Sequence, residues 1–320
     1  MKENVVAFVV ARLSSSRLPK KHLKKIGNKD LIDWTILNVK KSELVNKIVI
    51  ATTTEEDNKP LVGKAKKHNI DIFLYDGDIN DVVGRLTKAA FEYNADIPIL
   101  ISGDCPLIYA PSLDKLIEKM LENKELDYVG FCKRSDKPAV HEGMGVYRKK
   151  CWELADIISD KPNLREHQFP IVYLKPDMFK TDCIYDDKIF YELKHRISVD
   201  TLADLEFMKV VYSELEAKKR EFNLKNAVEL LIEKPYIMNI NRDVHQIKLD
   251  EKQKKALFVI ENPDNLELFF DLAYDLTKRG VGVRFYSQNK VVAETAEKKG
   301  FGIVDNLYEK SFDLTITDND

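Results

Sequence analysis

The stretch Val5-Val6-Ala7-Phe8-Val9-Val10-Ala11-Arg12-Leu13-Ser14-Ser15-Ser16-Arg17-Leu18-Pro19-Lys20-Lys21 decides the fold. Its first six residues are continuously apolar, the pattern of a central strand covered on both faces. Working outward, residues 30–40 carry apolar side chains at helical spacing, and Lys47-Ile48-Val49-Ile50-Ala51-Thr52 reads as a second buried strand. Helical stretches near 58–68 and 80–93 alternate with strands at 70–75 and 97–102. Such alternation implies βαβ units and a parallel sheet.

After Leu107 the pattern is mixed. A helix is expected at 112–123, short strands near 127–132 and 143–148, and helices near 150–159 and 165–175. A strand at 196–199 leads into a helix over 202–217, followed by another over 225–233. Asn239 to Lys255 is polar and charged, as a linker would be. Beyond it, strands at 255–260, 281–286 and 312–317 alternate with helices at 264–279 and 290–299. The reading is an α/β chain with a mixed sheet flanked by helices (residues 1–245) and a small C-terminal βαβ domain (residues 255–320).

In 320 residues, Lys+Arg 51 balances Asp+Glu 53, a net charge of −2, which removes the broad basic footprint of a nucleic-acid binder. The lysine clusters at 20–25 and 64–67 lack interleaved aromatics and read as solvated helix faces. There is no run of about 18 apolar residues and no signal-peptide pattern, so a soluble, cytoplasmic protein without membrane insertion is expected. Cys105, Cys132, Cys151 and Cys183 form no CxxC pair and are expected as reduced, mostly buried thiols.

The segment after the first strand is where an open α/β sheet binds ligands. Ala11 to Lys21 holds three serines and several cations, so it is either a solvated basic loop or a cradle for a polyanion. It has neither the GxxxxGK[ST] nor the GxGxxG pattern.

Read as ARxxSSRLPxK, this loop resembles the loop of sugar-activating cytidylyltransferases, especially the spore coat polysaccharide biosynthesis protein F and acylneuraminate groups. Lys20 stands where that family usually has glycine. The resemblance continues, in order, through Asp81-Val82-Val83-Gly84-Arg85, Gly103-Asp104-Cys105-Pro106-Leu107-Ile108, Arg165-Glu166-His167 and Val199-Asp200-Thr201. It implies a Rossmann-like nucleotidyltransferase fold of the GT-A-like kind and CMP transfer from CTP to a sugar or sialic-acid-like acceptor, with pyrophosphate released. It also implies that Ala11, Arg12, Ser15, Ser16, Arg17, Lys21 and Arg85 bind the nucleotide, with Arg12, Lys21 and Asp104 catalytic. Dimers are common in the resembled family, so a homodimer is a further expectation.

Asp104 and Asp200 are each expected at a strand end, where two carboxylates can share one Mg²⁺ with substrate phosphates. In the resembled family the matching aspartates hold the catalytic metal; Asp200 could instead cap the helix that follows. Arg165, Glu166 and His167 resemble the acceptor-binding segment, and His167 is a candidate for assisting proton removal. The segment His141-Glu142-Gly143-Met144-Gly145 departs from the family pattern at Gly145 and Tyr147, which leaves the acceptor open. His22, His68, His195 and His245 read as surface or packing residues.

Residues 255–320 resemble the opening of a GT-B-type UDP-sugar hydrolase, through Leu272-Ala273, Gly280 and Phe312 to Asp318. The hydrolase's Gly-Thr-Gly-His is replaced near 262–266 by Pro263-Asp264-Asn265, so a non-catalytic docking, dimerising or acceptor-covering unit is expected. Two rival readings stand beside CTP use: the same chemistry with another nucleotide such as GTP and a sugar phosphate, and a non-catalytic nucleotide-sugar-binding scaffold.

Overall fold

The structure is a computed structural model, in which residues 2–15, 17–246, 249, 251, 253–307 and 312–318 are described. Strand β1 (Val5–Val10) leads through the serine-rich loop to a short hairpin, β2 (Lys25–Ile26) and β3 (Lys29–Asp30). Helix α1 (Leu31–Val39) starts on a capping box between Asp30 and Asp33. Then follow β4 (Lys47–Thr53), α2 (Lys59–His68), β5 (Asp71–Tyr75), α3 (Val82–Glu92) and β6 (Ile97–Ser102). The mixed half contains α4 (Ala110–Glu122), β7 (Tyr128–Phe131), β8 (Met144–Tyr147) and α5 (Lys149–Ile158). It continues through α6 (Pro162–Glu166), α7 (Ile171–Leu174), β9 (Thr181–Ile184), α8 (Leu202–Ala217) and α9 (Leu224–Glu233).

These strands form one sheet in the order β5-β4-β1-β6-β8-β7-β9. The first four are parallel, and β8 runs antiparallel to both β6 and β7. The alternation within β1 explains its central place. Val5, Ala7 and Val9 pack into the apolar cluster on one face, Val6 and Phe8 into the cluster on the other. A strand buried on both sides carries its loop to the carboxyl edge between β4 and β6, which is where the functional residues gather.

Three local expectations change. Residues 196–199 form no strand, because the amides of Ile197 and Ser198 donate to the Glu142 carboxylate (3.3 and 2.8 Å) and that of Val199 to the Asp104 carbonyl (3.0 Å). The helix expected at 165–175 is broken: α6 ends at Glu166, Phe169 adopts φ 54° and Pro170 precedes α7. Reduced cysteines were expected throughout, whereas Cys132 and Cys183 form a disulfide, since the parallel pairing of β7 with β9 brings these strand-end residues together. Cys105 and Cys151 are free and buried.

A separate, all-parallel sheet, ordered β12-β11-β10-β13, forms the C-terminal unit. Its elements are β10 (Lys255–Val259), α10 (Leu266–Lys278), β11 (Gly282–Tyr286), α11 (Lys290–Lys299), β12 (Gly302–Ile303) and β13 (Leu314–Thr317). Phe258, Phe285 and Phe301 share one buried apolar cluster with Leu205 and Met208 of α8 and with Leu18 of the loop. Among the described residues no helix is long and apolar enough to cross a membrane.

Candidate active site

The loop after β1 is shaped by its own hydrogen bonds. The Leu13 amide donates to Asn58 Oδ1 (2.9 Å), the Leu18 amide to Ser15 Oγ (3.3 Å) and the Lys20 amide to the Leu13 carbonyl (3.1 Å). Lys20 closes the loop in the left-handed region, at φ 52°, a conformation that costs a residue with a Cβ about 1 kcal/mol and suits glycine. This is the position at which the resembled family usually has glycine.

Lys21, thrown inward by that turn, places Nζ 2.5 Å from Asp104 Oδ2 and 2.7 Å from Asp200 Oδ1. Burial works against its charge, but the carboxylates of Asp104 and Asp200 more than offset this and hold its pKa above the ordinary lysine range. Asp104 reaches this point because Gly103 lets β6 end close against β1. A Cβ at Gly103 would lie 2.7 Å from the Val10 carbonyl oxygen and 3.1 Å from the His22 ring.

Asp200 does not cap α8. Thr201 does, accepting from the Asp204 amide at 3.3 Å, and the Asp204 carboxylate accepts from the amides of Asp200 and Thr201. The Asp200 carboxylate is left to face Lys21, Arg17 (3.3 Å) and Arg196. Burial would raise its pKa, yet Lys21, Arg17 and Arg196 drive it well below the usual carboxylate range.

Arg17, Lys21, Asp104 and Asp200 line a cavity of about 720 Å³ together with Ala11, Arg12, Ser15 and Arg85, and with Glu166, His167 and Gln168 from the broken helix. Arg85 is the least expected in its setting. It is 1% exposed, and its Nε and Nη1 are buried without a hydrogen-bond partner among the described residues. Burial, then repulsion from Arg12, lowers its pKa to about 10. A guanidinium with orphaned donors on a cavity wall is built for an anion. Arg17 Nη1 is likewise buried and unpartnered among the described residues. Arg12 bonds Asn80 Oδ1 (2.8 Å) and pairs with Glu166 (3.2 Å) across the opening.

Two expected residues fall elsewhere. Arg165 is not in the cavity lining; its guanidinium grips both oxygens of Asp81 (2.9 and 3.1 Å) and pairs with Asp156 (2.6 Å), an arrangement that ties α6 to the start of α3. Ser16 lies outside the described residues. Other lining residues went unread from sequence. His22 is buried in the cavity wall, and Gln168 accepts from Ser102 Oγ at 2.8 Å. Leu249, Glu251 and Gln253 come from the segment expected to be only a linker. Their signal was indirect at best: a mostly polar and charged stretch does not say which surface it crosses.

For Mg²⁺, the donor chemistry fits. Asp104 and Asp200 converge on one cation position, which the Lys21 ammonium takes here, and two carboxylates plus phosphate oxygens suit a hard ion. Asp104 is the better placed of the two. Its Oδ1 has only the Cys105 thiol as a hydrogen-bond partner among the described residues, at 3.5 Å, whereas both Asp200 oxygens are engaged by cations. Among the described residues no group of three or more His, Cys, Asp or Glu could bind a metal by itself.

The family model for cytidylyltransferases matches residues 6–255. An uncharacterised protein of Methanocaldococcus jannaschii is 27% identical over 251 residues, 76% of this chain and 96% of its own. The spore coat polysaccharide biosynthesis protein SpsF of Bacillus subtilis is 24% identical over 65% of this chain and 87% of its own. The 3-deoxy-manno-octulosonate cytidylyltransferase of Bdellovibrio bacteriovorus is 27% identical over 38% of this chain and 48% of its own, so about half of that enzyme is matched. Among solved structures, a cytidylyltransferase from Leptospira borgpetersenii superposes with a TM-score of 0.63 at 26% identity, covering 74% of this chain and 97% of that one. With the loop, the cation cluster and the paired carboxylates in place at the sheet edge, the match over most of its length makes this chain a member of the cytidylyltransferase family.

Proposed function

We propose that the protein transfers CMP from CTP to a hydroxyl of a sugar acid, releasing pyrophosphate, for surface-glycan synthesis. The observation that carries this is the orphaned, buried guanidinium of Arg85, which lines one cavity with Arg12, Arg17 and Lys21. Family membership supplies the reaction class, the name of the octulosonate relative supports a sugar-acid acceptor, and that of the spore coat relative supports polysaccharide synthesis.

The acceptor oxygen attacks the α-phosphorus, the bond to the β-phosphate bridging oxygen breaks, and pyrophosphate leaves with that electron pair. Negative charge grows on the α-phosphate oxygens and on the leaving group, so catalysis rests on positioned cations. Arg12, Arg17 and Arg85 bind the phosphates, and Lys21 turns from its two carboxylates toward them when nucleotide enters. Mg²⁺, held by Asp104 with Asp200 beside it, would add further neutralisation of phosphate charge. The acceptor proton goes to His167, which lines the same cavity next to Glu166.

Pyrophosphate release by the full chain is the test, with CTP, UTP, GTP and ATP each offered against eight-carbon and nine-carbon 2-keto sugar acids and against sugar phosphates. Release with CTP and a sugar acid supports the reading. Release with another nucleotide and a sugar phosphate would keep the chemistry and replace the substrates. No release with any pair would leave the binding-scaffold reading.

A further inference from the structure

Arg284, in the middle of β11, reaches out of the C-terminal sheet and donates from Nη2 to the Ser15 carbonyl at 3.1 Å, spanning 269 residues of sequence. Ser15 lines the cavity, and the loop it belongs to carries Arg12, Arg17 and Lys21. We propose that Arg284 is a positioning residue for this loop, by which the C-terminal unit sets the phosphate-binding cations before nucleotide arrives. The inference rests on the reading of the loop as the CTP phosphate site, and it gives the C-terminal unit a role in that reaction.

Several independent features point the same way. Gly302 pairs with Arg284 in register on the neighbouring strand, and a Cβ there would lie 2.8 Å from Arg284 Cδ and 2.9 Å from its Nε and Nη1. The adjacent strand is therefore cut back where the guanidinium passes. Burial lowers the Arg284 pKa from the ordinary arginine value, so its charge has been drawn out of water to serve this position. The turn that ends α11 also approaches the loop: at Gly300, with φ +98°, an added Cβ would lie 3.8 Å from Leu18 Cδ1 and 2.7 Å from Leu202 Cδ2. Leu18 is itself fully buried in the cluster that contains Phe258, Phe285 and Phe301.

The C-terminal unit thus holds the loop by a backbone carbonyl on one side and by an apolar anchor on the other. Within the loop, the Ser15 hydroxyl accepts from the Leu18 amide. One serine therefore joins the outer tether to the internal turn. A loop ordered in advance loses less conformational freedom when it closes on a triphosphate, and this appears as affinity.

The test uses the full chain with Arg284→Ala, Arg284→Lys and Gly302→Ala, and with Arg279→Ala as a control. Arg279 is an exposed arginine of the same unit, paired with Asp275. Amide hydrogen exchange over residues 12–20, without nucleotide, reads the loop directly. Exchange there should rise about tenfold in Arg284→Ala, the loss expected for one charge-assisted hydrogen bond. It should rise similarly in Gly302→Ala, which displaces the guanidinium without removing it, and recover in part in Arg284→Lys. In kinetics, KM for CTP should rise about tenfold while kcat changes less than twofold, since only preorganisation is lost. Arg279→Ala should change neither.

Unchanged loop exchange in both Arg284→Ala and Gly302→Ala would overturn the proposal. So would a rise no larger than that of β10 and β11 themselves, which reports general loosening of the unit. If the wild type turns over no CTP, the proposed function fails, and the exchange measurement still decides whether Arg284 orders the loop.

Discussion

Lys21 Nζ lies 2.5 Å from Asp104 Oδ2, an ion pair with side chains 11% and 21% exposed that joins the end of the serine-rich loop to the carboxyl end of β6. Removing one partner of such a pair leaves an uncompensated charge. Lys21→Met should therefore destabilise the protein by about 3 kcal/mol, and the double variant Lys21→Met/Asp104→Asn should recover part of that loss. Urea unfolding of the four proteins in this cycle measures it. Additive losses would show that the two residues do not act as a pair.

His22 makes stability depend on pH in a defined window. Burial, then the neighbouring Lys21 charge, lowers its pKa from 6.5 to about 4 in the folded protein. The unfolded chain takes up this proton first, so the contribution of His22 is fully present above about pH 6.5 and lost as pH falls toward 4. The group is 3% exposed, and the loss amounts to about 3 kcal/mol. Burial also lowers His141 and His195, which act in the same direction. Urea unfolding between pH 4 and 7 should show a shallower slope in His22→Gln than in the wild type; identical slopes would contradict the assignment.

Arg165 is a structural residue in this account. Arg165→Ala breaks its two hydrogen bonds to Asp81 and its pair with Asp156, and should cost about 2 kcal/mol of stability. KM for the acceptor should change less than twofold. A large rise in acceptor KM with unchanged stability would return Arg165 to the acceptor site.

Arg165 also marks how far the sequence could be read. The chain Val5–Val10 announced a two-sided strand because every position is apolar, and the loop after it stood out by its serines and cations. Asp104 and Asp200 were expected to share one site, but the pairing of both with Lys21 was not read, because 83 and 179 residues separate Lys21 from these partners. The motif residue Asp81 looked like part of a nucleotide segment, whereas it caps α3 and holds Arg165. Arg196 was invisible as the companion of Asp200 because a strand was expected through it. Residues 196–199 instead give the amides of Ile197 and Ser198 to the Glu142 carboxylate, a tertiary contact that local pattern does not encode. The edge strand Thr181–Ile184 was missed because it is short and mostly exposed.

The Cys132–Cys183 disulfide closes a loop of 51 residues between two strands at the sheet margin. Chain entropy assigns such a closure up to about 4 kcal/mol. Cys132→Ser/Cys183→Ser should lower the melting temperature, and a reducing agent should lower that of the wild type but not of the double variant. Alkylation of the unfolded chain before reduction should label Cys105 and Cys151 alone; labelling at Cys132 or Cys183 would contradict the bridge.

The most direct test of the central claim, that the cation-lined cavity is a CTP site, is calorimetric titration of the full chain and of Arg85→Met with CTP, UTP, GTP and ATP in Mg²⁺. CTP should bind more tightly than the other three. Arg85→Met should weaken CTP by at least about tenfold, since a buried guanidinium loses its anion. Equal binding of CTP by wild type and Arg85→Met, or no binding of CTP by the wild type, would contradict it.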